Sequence, residues 1–146
     1  MALAERHAEV VWNGNLTQGN GTITAGSGAL RQLPVTFAAR TENPDGKTSP
    51  EELIAAAHAG CFSMALSAGL TKAGHPPTRV HTTARVHLEK VGEGFGITRI
   101  ELTTEAQVPG IDNKAFQEQA EGAKKGCPVS KVLAGAQISL TATLKS

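Results

Sequence analysis

The chain of 146 residues has no tyrosine, one tryptophan and four phenylalanines. Such poverty of rings excludes the stacking platform on which single-stranded nucleic acid is held. Neither sign of charge is in excess: 14 Lys and Arg stand against 13 Asp and Glu. With no basic field to attract a phosphate backbone or an anionic bilayer, neither nucleic acid nor membrane is expected as a partner. Cysteine is almost absent, with only two residues, Cys61 and Cys127. A single domain of this length buries enough apolar surface to fold without staples. Glu5 and Arg6 come before any apolar stretch, so no secretion signal is read at the start. The expectation is a cytoplasmic protein, a setting where two cysteines are more often reactive or ligating than permanently bridged.

What the chain does have is one long uncharged run, "LIAAAHAGCFSMALSAGL", from Leu53 to Leu70. Its length raises the question of a membrane span. It is mostly Ala, Gly and Ser and carries His58, however, so a central buried helix is expected instead. The helix start is marked by Ser49 as N-cap, Pro50 at the first position and Glu52 three residues beyond the cap. Gly74-His75-Pro76-Pro77 ends it. Leu53, Ala57, Cys61, Met64 and Ala65 are read as its inward face. Because a helix apolar nearly all round needs cover on several sides, a homodimer is expected.

Three other stretches alternate with period two, as half-buried strands do. Val80, Ala84, Val86 and Leu88 share one face of the first; Ile100, Leu102, Ala106 and Val108 share one face of the second. Gly92-Glu93-Gly94 supplies the turn between them. The third is "QISLTATLKS", with Ile138, Leu140, Ala142 and Leu144 inward. Near the start, "AEVVWNG", "GTITA" and "LPVTFAAR" read as short strands of a β-meander. A second helix, "DNKAFQEQAEGAKK", sets Phe116, Ala120 and Ala123 on one side, and a third opens at Cys127-Pro128. The order βββ-α-ββ-αα-β is α+β, in one domain over residues 1–146.

The two thiols stand in contrasting settings. Cys61 in an apolar helix reads as a small buried hydrophobe, inert unless a cation holds it as thiolate. Cys127, at a helix start with Lys124, Lys125 and Lys131 nearby, reads as the more reactive. His58 and Cys61 are spaced as two metal ligands could be, but His7, His75, His81 and His87 supply no second pair, so no metal is expected. A Cys-His hydrolase with His58 as base has no oxyanion-hole signature to support it. His58 is read as packed or hydrogen-bonded.

"SPEELIAAAHAGCFSMALS", followed some sixty residues later by "GCPVSKVL", resembles the family of osmotically inducible and organic-hydroperoxide-resistance proteins, the OsmC/Ohr family, and its OsmC branch most closely. "VVWNGNLTQGNGTI", "VPGID" and the terminal "LKS" extend the likeness over essentially the whole chain. The resemblance implies an intertwined α+β homodimer, antiparallel sheets around a central helix carrying Cys61. It also implies a thiol peroxidase for organic hydroperoxides that needs no cofactor. Cys61 then takes the peroxidatic place, Cys127 the resolving one, and Glu51 that of the active-site glutamate. The arginine of the motif falls on Arg40, in preference to Arg31. An apolar shell of Leu53, Phe62, Met64 and Phe37 would receive the alkyl part of the substrate. The implied partners are the organic hydroperoxide and a reducing dithiol, a lipoyl-bearing protein or similar. A thiol redox sensor, or a binder of a hydrophobic ligand in the same pocket, is the alternative reading. If Glu51 and Cys61 lie on one continuous helix, ten residues of rise set them ~15 Å apart, and Glu51 then serves the cysteine of a second subunit.

Overall fold

The computed structural model describes residues 1–145; Ser146, the last residue of the expected C-terminal strand, lies outside the described residues. In chain order the elements are β1 (Ala8–Asn13), β2 (Asn20–Ala25), β3 (Leu33–Val35), α1 (Phe37–Thr41), α2 (Pro50–Lys72), β4 (Arg79–Val91), β5 (Gly94–Gln107), α3 (Asn113–Gly126), α4 (Pro128–Val132) and β6 (Gln137–Lys145). This is an α+β chain with two three-stranded sheets. It falls into two compact units, Met1–Leu53 and Ile54–Ser146.

In the first unit β1, β2 and β3 form the expected antiparallel meander, with Val11 opposite Thr22 and Thr22 opposite Pro34. The strand expected over "LPVTFAAR" stops at Val35. There the Thr36 side chain accepts the Ala39 N–H at 3.0 Å and caps α1, a helix the sequence reading did not foresee. A β-branched Thr36 followed by Phe-Ala-Ala-Arg satisfies strand propensity up to the cap and, through the two alanines and the arginine, helix propensity after it. The start of α2 is as expected. The Glu52 N–H donates to Ser49 Oγ at 3.1 Å, and Pro50 follows the cap. The Glu52 carboxylate accepts from the Thr48 hydroxyl at 2.8 Å, which ties the cap to the preceding residue.

The second unit is built on the β4–β5 hairpin, closed by Gly92-Glu93 with Gly92 at φ +61°. A two-residue turn with positive φ at its first position matches the twist of the strands, and glycine takes that φ without strain. β6 pairs with β5 in parallel, so this sheet is mixed, which corrects the expectation of antiparallel sheets throughout. The helical connection through α3 and α4 causes this, since a crossover brings the chain back to the same end of the sheet where a tight turn would reverse it.

Leu102 and Ala106 of β5, Phe116 and Ala120 of α3, and Phe62, Leu66 and Leu70 of α2 form the core of this unit. The alternation in β5 is as expected, with Ile100, Leu102 and Ala106 buried, and Val108 just past the strand is buried as well. The face of α2 is not. Its buried stripe is His58, Phe62, Leu66 and Leu70, one residue on from the stripe assigned to Ala57, Cys61 and Ala65. Burying Phe or Leu yields roughly 1.5–3 kcal/mol each, far more than an alanine methyl, so the bulkier stripe takes the core. Cys61 is left at its border, half-buried. Ala56, Ala57, Gly60, Met64 and Ala68 face outward along a second stripe, with Met64 at 71 % exposure. By length and composition α2 could cross a membrane, but its bulky stripe is packed on the sheet and α3. Its end is as expected: Gly74 takes φ +90° and the His75 N–H returns to Leu70 O at 2.8 Å before the two prolines.

Candidate active site

Two clusters hold the expected site residues, one in each unit. In the first unit the Arg40 guanidinium grips Glu51. Arg40 Nε lies 2.9 Å from Oε1 and 3.2 Å from Oε2, and Nη2 lies 2.8 Å from Oε2. α1 carries Arg40 in its last turn and the first turn of α2 carries Glu51, so the cap at Thr36 and the cap at Ser49 aim the two side chains. Arg40 is raised above the ordinary arginine value by its hydrogen bond to Glu51, against the cost of partial burial. Of the two candidate arginines, only Arg40 pairs with Glu51; Arg31 donates to Gly28 O at 3.0 Å. Beside Arg40 lies an apolar groove of about 190 Å³, lined by Val10, Trp12, Leu16, Ile23 and Phe37. Phe37 was expected at such a surface. Val10, Trp12 and Leu16 were not, although β1 carries apolar side chains on both of its faces.

In the second unit the sulfurs of Cys61 and Cys127 are 2.8 Å apart, one thiol hydrogen-bonded to the other, and both are free. Their exposures are the reverse of the sequence reading: Cys127 is fully buried and Cys61 half-buried. Cys127 is locked between two helices. Its N–H donates to Ala123 O at 3.0 Å, its carbonyl accepts from the Lys131 N–H at 3.2 Å, and its sulfur accepts from the Ser130 N–H at 3.4 Å. At five residues, α4 is too short for a macrodipole of consequence, so individual donors act on Cys127. Burial alone would raise its thiol. Hydrogen bonds from Cys61, from the N–H and hydroxyl of Ser130 and from the Val129 N–H outweigh that and bring it below the ordinary value. Cys61 is raised, first by burial and then by its hydrogen bond to Cys127. No cation is among the groups that shift Cys61, so nothing there offsets its burial in favour of the thiolate.

Of the expected apolar shell, Phe37 and Leu53 belong to the first unit and Phe62 and Met64 to the second. Phe62 is fully buried in the core, beneath Cys61 in sequence but closed to any ligand, and Met64 faces outward. Leu53 is half-buried. His58 is completely buried and bonded to Ser130, with Nε2 2.7 Å from Oγ, a partner the sequence reading missed. Among the described residues no group of three or more His, Cys, Asp or Glu is placed to hold a metal ion.

Residues 43–142 match the family described as OsmC-like protein. The chain belongs to that family. This OsmC-like chain is 53% identical over 135 residues to the protein named peroxiredoxin OsmC of Escherichia coli (strain K12), an alignment covering 92% of this chain and 93% of the other. It is 35% identical over 98 residues to the organic hydroperoxide resistance protein of Xanthomonas axonopodis pv. citri (strain 306), covering 66% of each. Among solved structures it resembles the organic hydroperoxide resistance protein OhrB of Bacillus subtilis, with a TM-score of 0.66 and 27% identity, over 95% of this chain and 98% of that one. The expected family is thus the right one, and the α+β fold is that of its solved members.

Proposed function

We propose that this OsmC-like protein is a cytoplasmic thiol peroxidase that reduces organic hydroperoxides to alcohols. The observation that carries the reading is the apposition of the two free sulfurs, 2.8 Å apart, in a chain that has no other cysteine. In the first step the Cys61 thiolate attacks the outer peroxide oxygen. A sulfur–oxygen bond forms as the O–O bond breaks, and the alkoxide leaves as the alcohol with the proton given up by the thiol. In the second, the Cys127 sulfur displaces the oxygen from the Cys61 sulfenic acid; the disulfide forms and water leaves. A dithiol, lipoyl-bearing or similar, then reopens the bridge and is itself oxidised to a disulfide. No cofactor enters the cycle.

The cation that holds Cys61 as thiolate is Arg40, oriented by the bidentate grip of Glu51. α2 is unbroken from Pro50 to Lys72, and the ten residues from Glu51 to Cys61 rise ~15 Å along it. The reading therefore takes the arginine from a second subunit, in a homodimer that covers the small-residue stripe of α2 at Ala56, Gly60, Met64 and Ala68. In that arrangement the apolar groove beside Arg40, with Phe37 on its wall, receives the alkyl group and favours an organic peroxide over hydrogen peroxide.

The test is a count of free thiols in denatured protein before and after one equivalent of cumene hydroperoxide, with hydrogen peroxide alongside. Loss of both thiols, faster with the organic peroxide, is expected. Survival of both would refute the reading.

A further inference from the structure

We propose that Trp12 sets the size of the apolar group that the groove beside Arg40 accepts, selecting a compact aryl or short alkyl hydroperoxide over a long-chain fatty acyl one. The inference rests on the peroxidase reading for the substrate's reactive end, but not for the shape of the groove. Every residue it uses lies in the first unit. The register puts Trp12 opposite Gly21 and Gly21 opposite Val35, one row across β1, β2 and β3. The chain passes from β3 directly into α1 and Arg40, so Trp12 stands on the strand farthest from that helix.

The indole is held in place from two directions. A Cβ added at Gly21 would come 2.8 Å from Trp12 Cε3 and 3.1 Å from Val35 Cγ1. Gly21 has no positive φ to explain it, so the glycine answers a need for space, and the ring takes that space. Trp12 Nε1 donates to Gly14 O at 3.0 Å, which fixes the plane of the ring. The turn that offers this carbonyl is closed by two bonds to Asn15: the Gly19 N–H donates to its carbonyl at 2.9 Å and the Gln18 N–H to its Oδ1 at 2.7 Å. The same turn brings Leu16 to the groove.

The occupant follows from volume and polarity. The groove holds about 190 Å³, with Val10, Ile23 and Val35 among its apolar walls. An apolar cavity of about 150 Å³ takes benzene, so about eight carbons fill this one. Drug-sized ligands need roughly 300 Å³ or more. Arg40 marks the polar end: Nε and Nη2 donate to Glu51, and among the described residues nothing accepts from Nη1. The matching molecule has one oxygen-bearing end and a body near the size of a cumyl group. A longer chain gains about fourfold in binding for each methylene the groove covers, and nothing for those left in water.

Primary alcohols from butanol to decanol test this on the full-length protein, because they carry the body of the substrate and need no turnover. Binding is followed by NMR on the Ile23 and Val35 methyl signals. Affinity is expected to rise about fourfold per carbon up to about eight carbons and then to level off. In Trp12→Ala it should still be rising at decanol, and Trp12→Phe should level off between the two. A ring that only covers Gly21 would lower the urea midpoint of these variants and leave the break where it is. That result would overturn the proposal, and so would methyl signals that ignore every alcohol. Should Trp12→Ala fail to fold, Trp12→Phe and Leu16→Ala, on the exposed turn, decide by the same break. If the thiols survive peroxide while the alcohols behave as expected, the peroxidase reading fails and the size limit of the groove stands.

Discussion

Arg40→Lys separates charge from geometry at the proposed cation. The substitution keeps the positive charge and most of the side-chain length, but an ammonium cannot reproduce a planar fork. In the structure two parallel bonds, Nε to Oε1 at 2.9 Å and Nη2 to Oε2 at 2.8 Å, fix the guanidinium plane against Glu51. A charge-assisted hydrogen bond is worth about 1.5–3 kcal/mol when shielded. The Arg40 side chain is 37% exposed and Glu51 only 9%, so water competes at one end of the pair and the lower end of that range applies. Losing one of the two bonds therefore removes roughly 1.5 kcal/mol of orientation, which is about tenfold in rate if all of it acts in the transition state. Removing the cation with Arg40→Ala should go further, toward the 10²–10³-fold loss typical of deleting a charge-stabilising donor. The assay is stopped-flow reduction of cumene hydroperoxide with excess dithiol, giving kcat/KM for each variant. An Arg40→Lys enzyme within threefold of the parent would mean that charge alone suffices. The grip of Glu51 would then have no catalytic role.

The small-residue stripe of α2 makes the proposed dimer testable without disturbing the lone chain. A Cβ added at Gly60 meets nothing within 4 Å, so Gly60→Leu should fold but wedge a second subunit away. Sedimentation equilibrium should show monomer together with lost peroxidase activity; an unchanged dimer that keeps full activity would remove the stripe from the interface. In the core, Phe116→Ala should cost about 3–5 kcal/mol by urea unfolding, since the ring is fully buried against α2 and β5. A loss under 1 kcal/mol would show that the ring is not packed as described. Ser49→Ala removes the N-cap of α2 and should cost about 1 kcal/mol in the same assay; no measurable change would mean that the Thr48–Glu52 bond caps the helix unaided.

Most elements were legible because local signals agreed with tertiary demand. Period-two alternation in β4, β5 and β6, a Ser-Pro start and a Gly-Pro stop on α2, and the Phe116–Ala120–Ala123 stripe of α3 each carry their own periodicity or cap. What was not legible depended on competition between neighbours. Ala57–Cys61–Ala65 and His58–Phe62–Leu66 are equally regular helical stripes, and only packing against Leu102 and Phe116 chooses the bulkier one. The direction of β6 was hidden because alternation reads the same in either orientation. Arg40 could be matched by motif, but its grip on Glu51 needed Thr36 to turn a strand into α1. Ser130 was passed over because a serine three residues after a cysteine looks like any polar position in a short helix. Its partner His58 lies 72 residues earlier in the chain.

The inverted burial of the two thiols bears on how the proposed disulfide is reopened. A reductant must attack along the S–S axis at one sulfur, and the other sulfur leaves as thiolate. Cys127 is fully buried and held by the backbone bonds of Ala123, Lys131 and Ser130, whereas Cys61 stands at the border of the core. Access therefore selects Cys61. The leaving group is selected the same way, because the Ser130 N–H that donates to the Cys127 sulfur at 3.4 Å stabilises it as it departs, and better-stabilised thiolates leave faster. Both factors favour a mixed disulfide between the reductant and Cys61. The intermediate can be caught on oxidised parent protein with a small dithiol carrying one blocked sulfur, and then located by peptide mass mapping. The probe is expected on Cys61, with Cys127 alkylatable only after denaturation. A probe found mainly on Cys127 would mean that the short helix α4 opens to admit the reductant, and that the buried position of Cys127 does not govern the reductive half of the cycle.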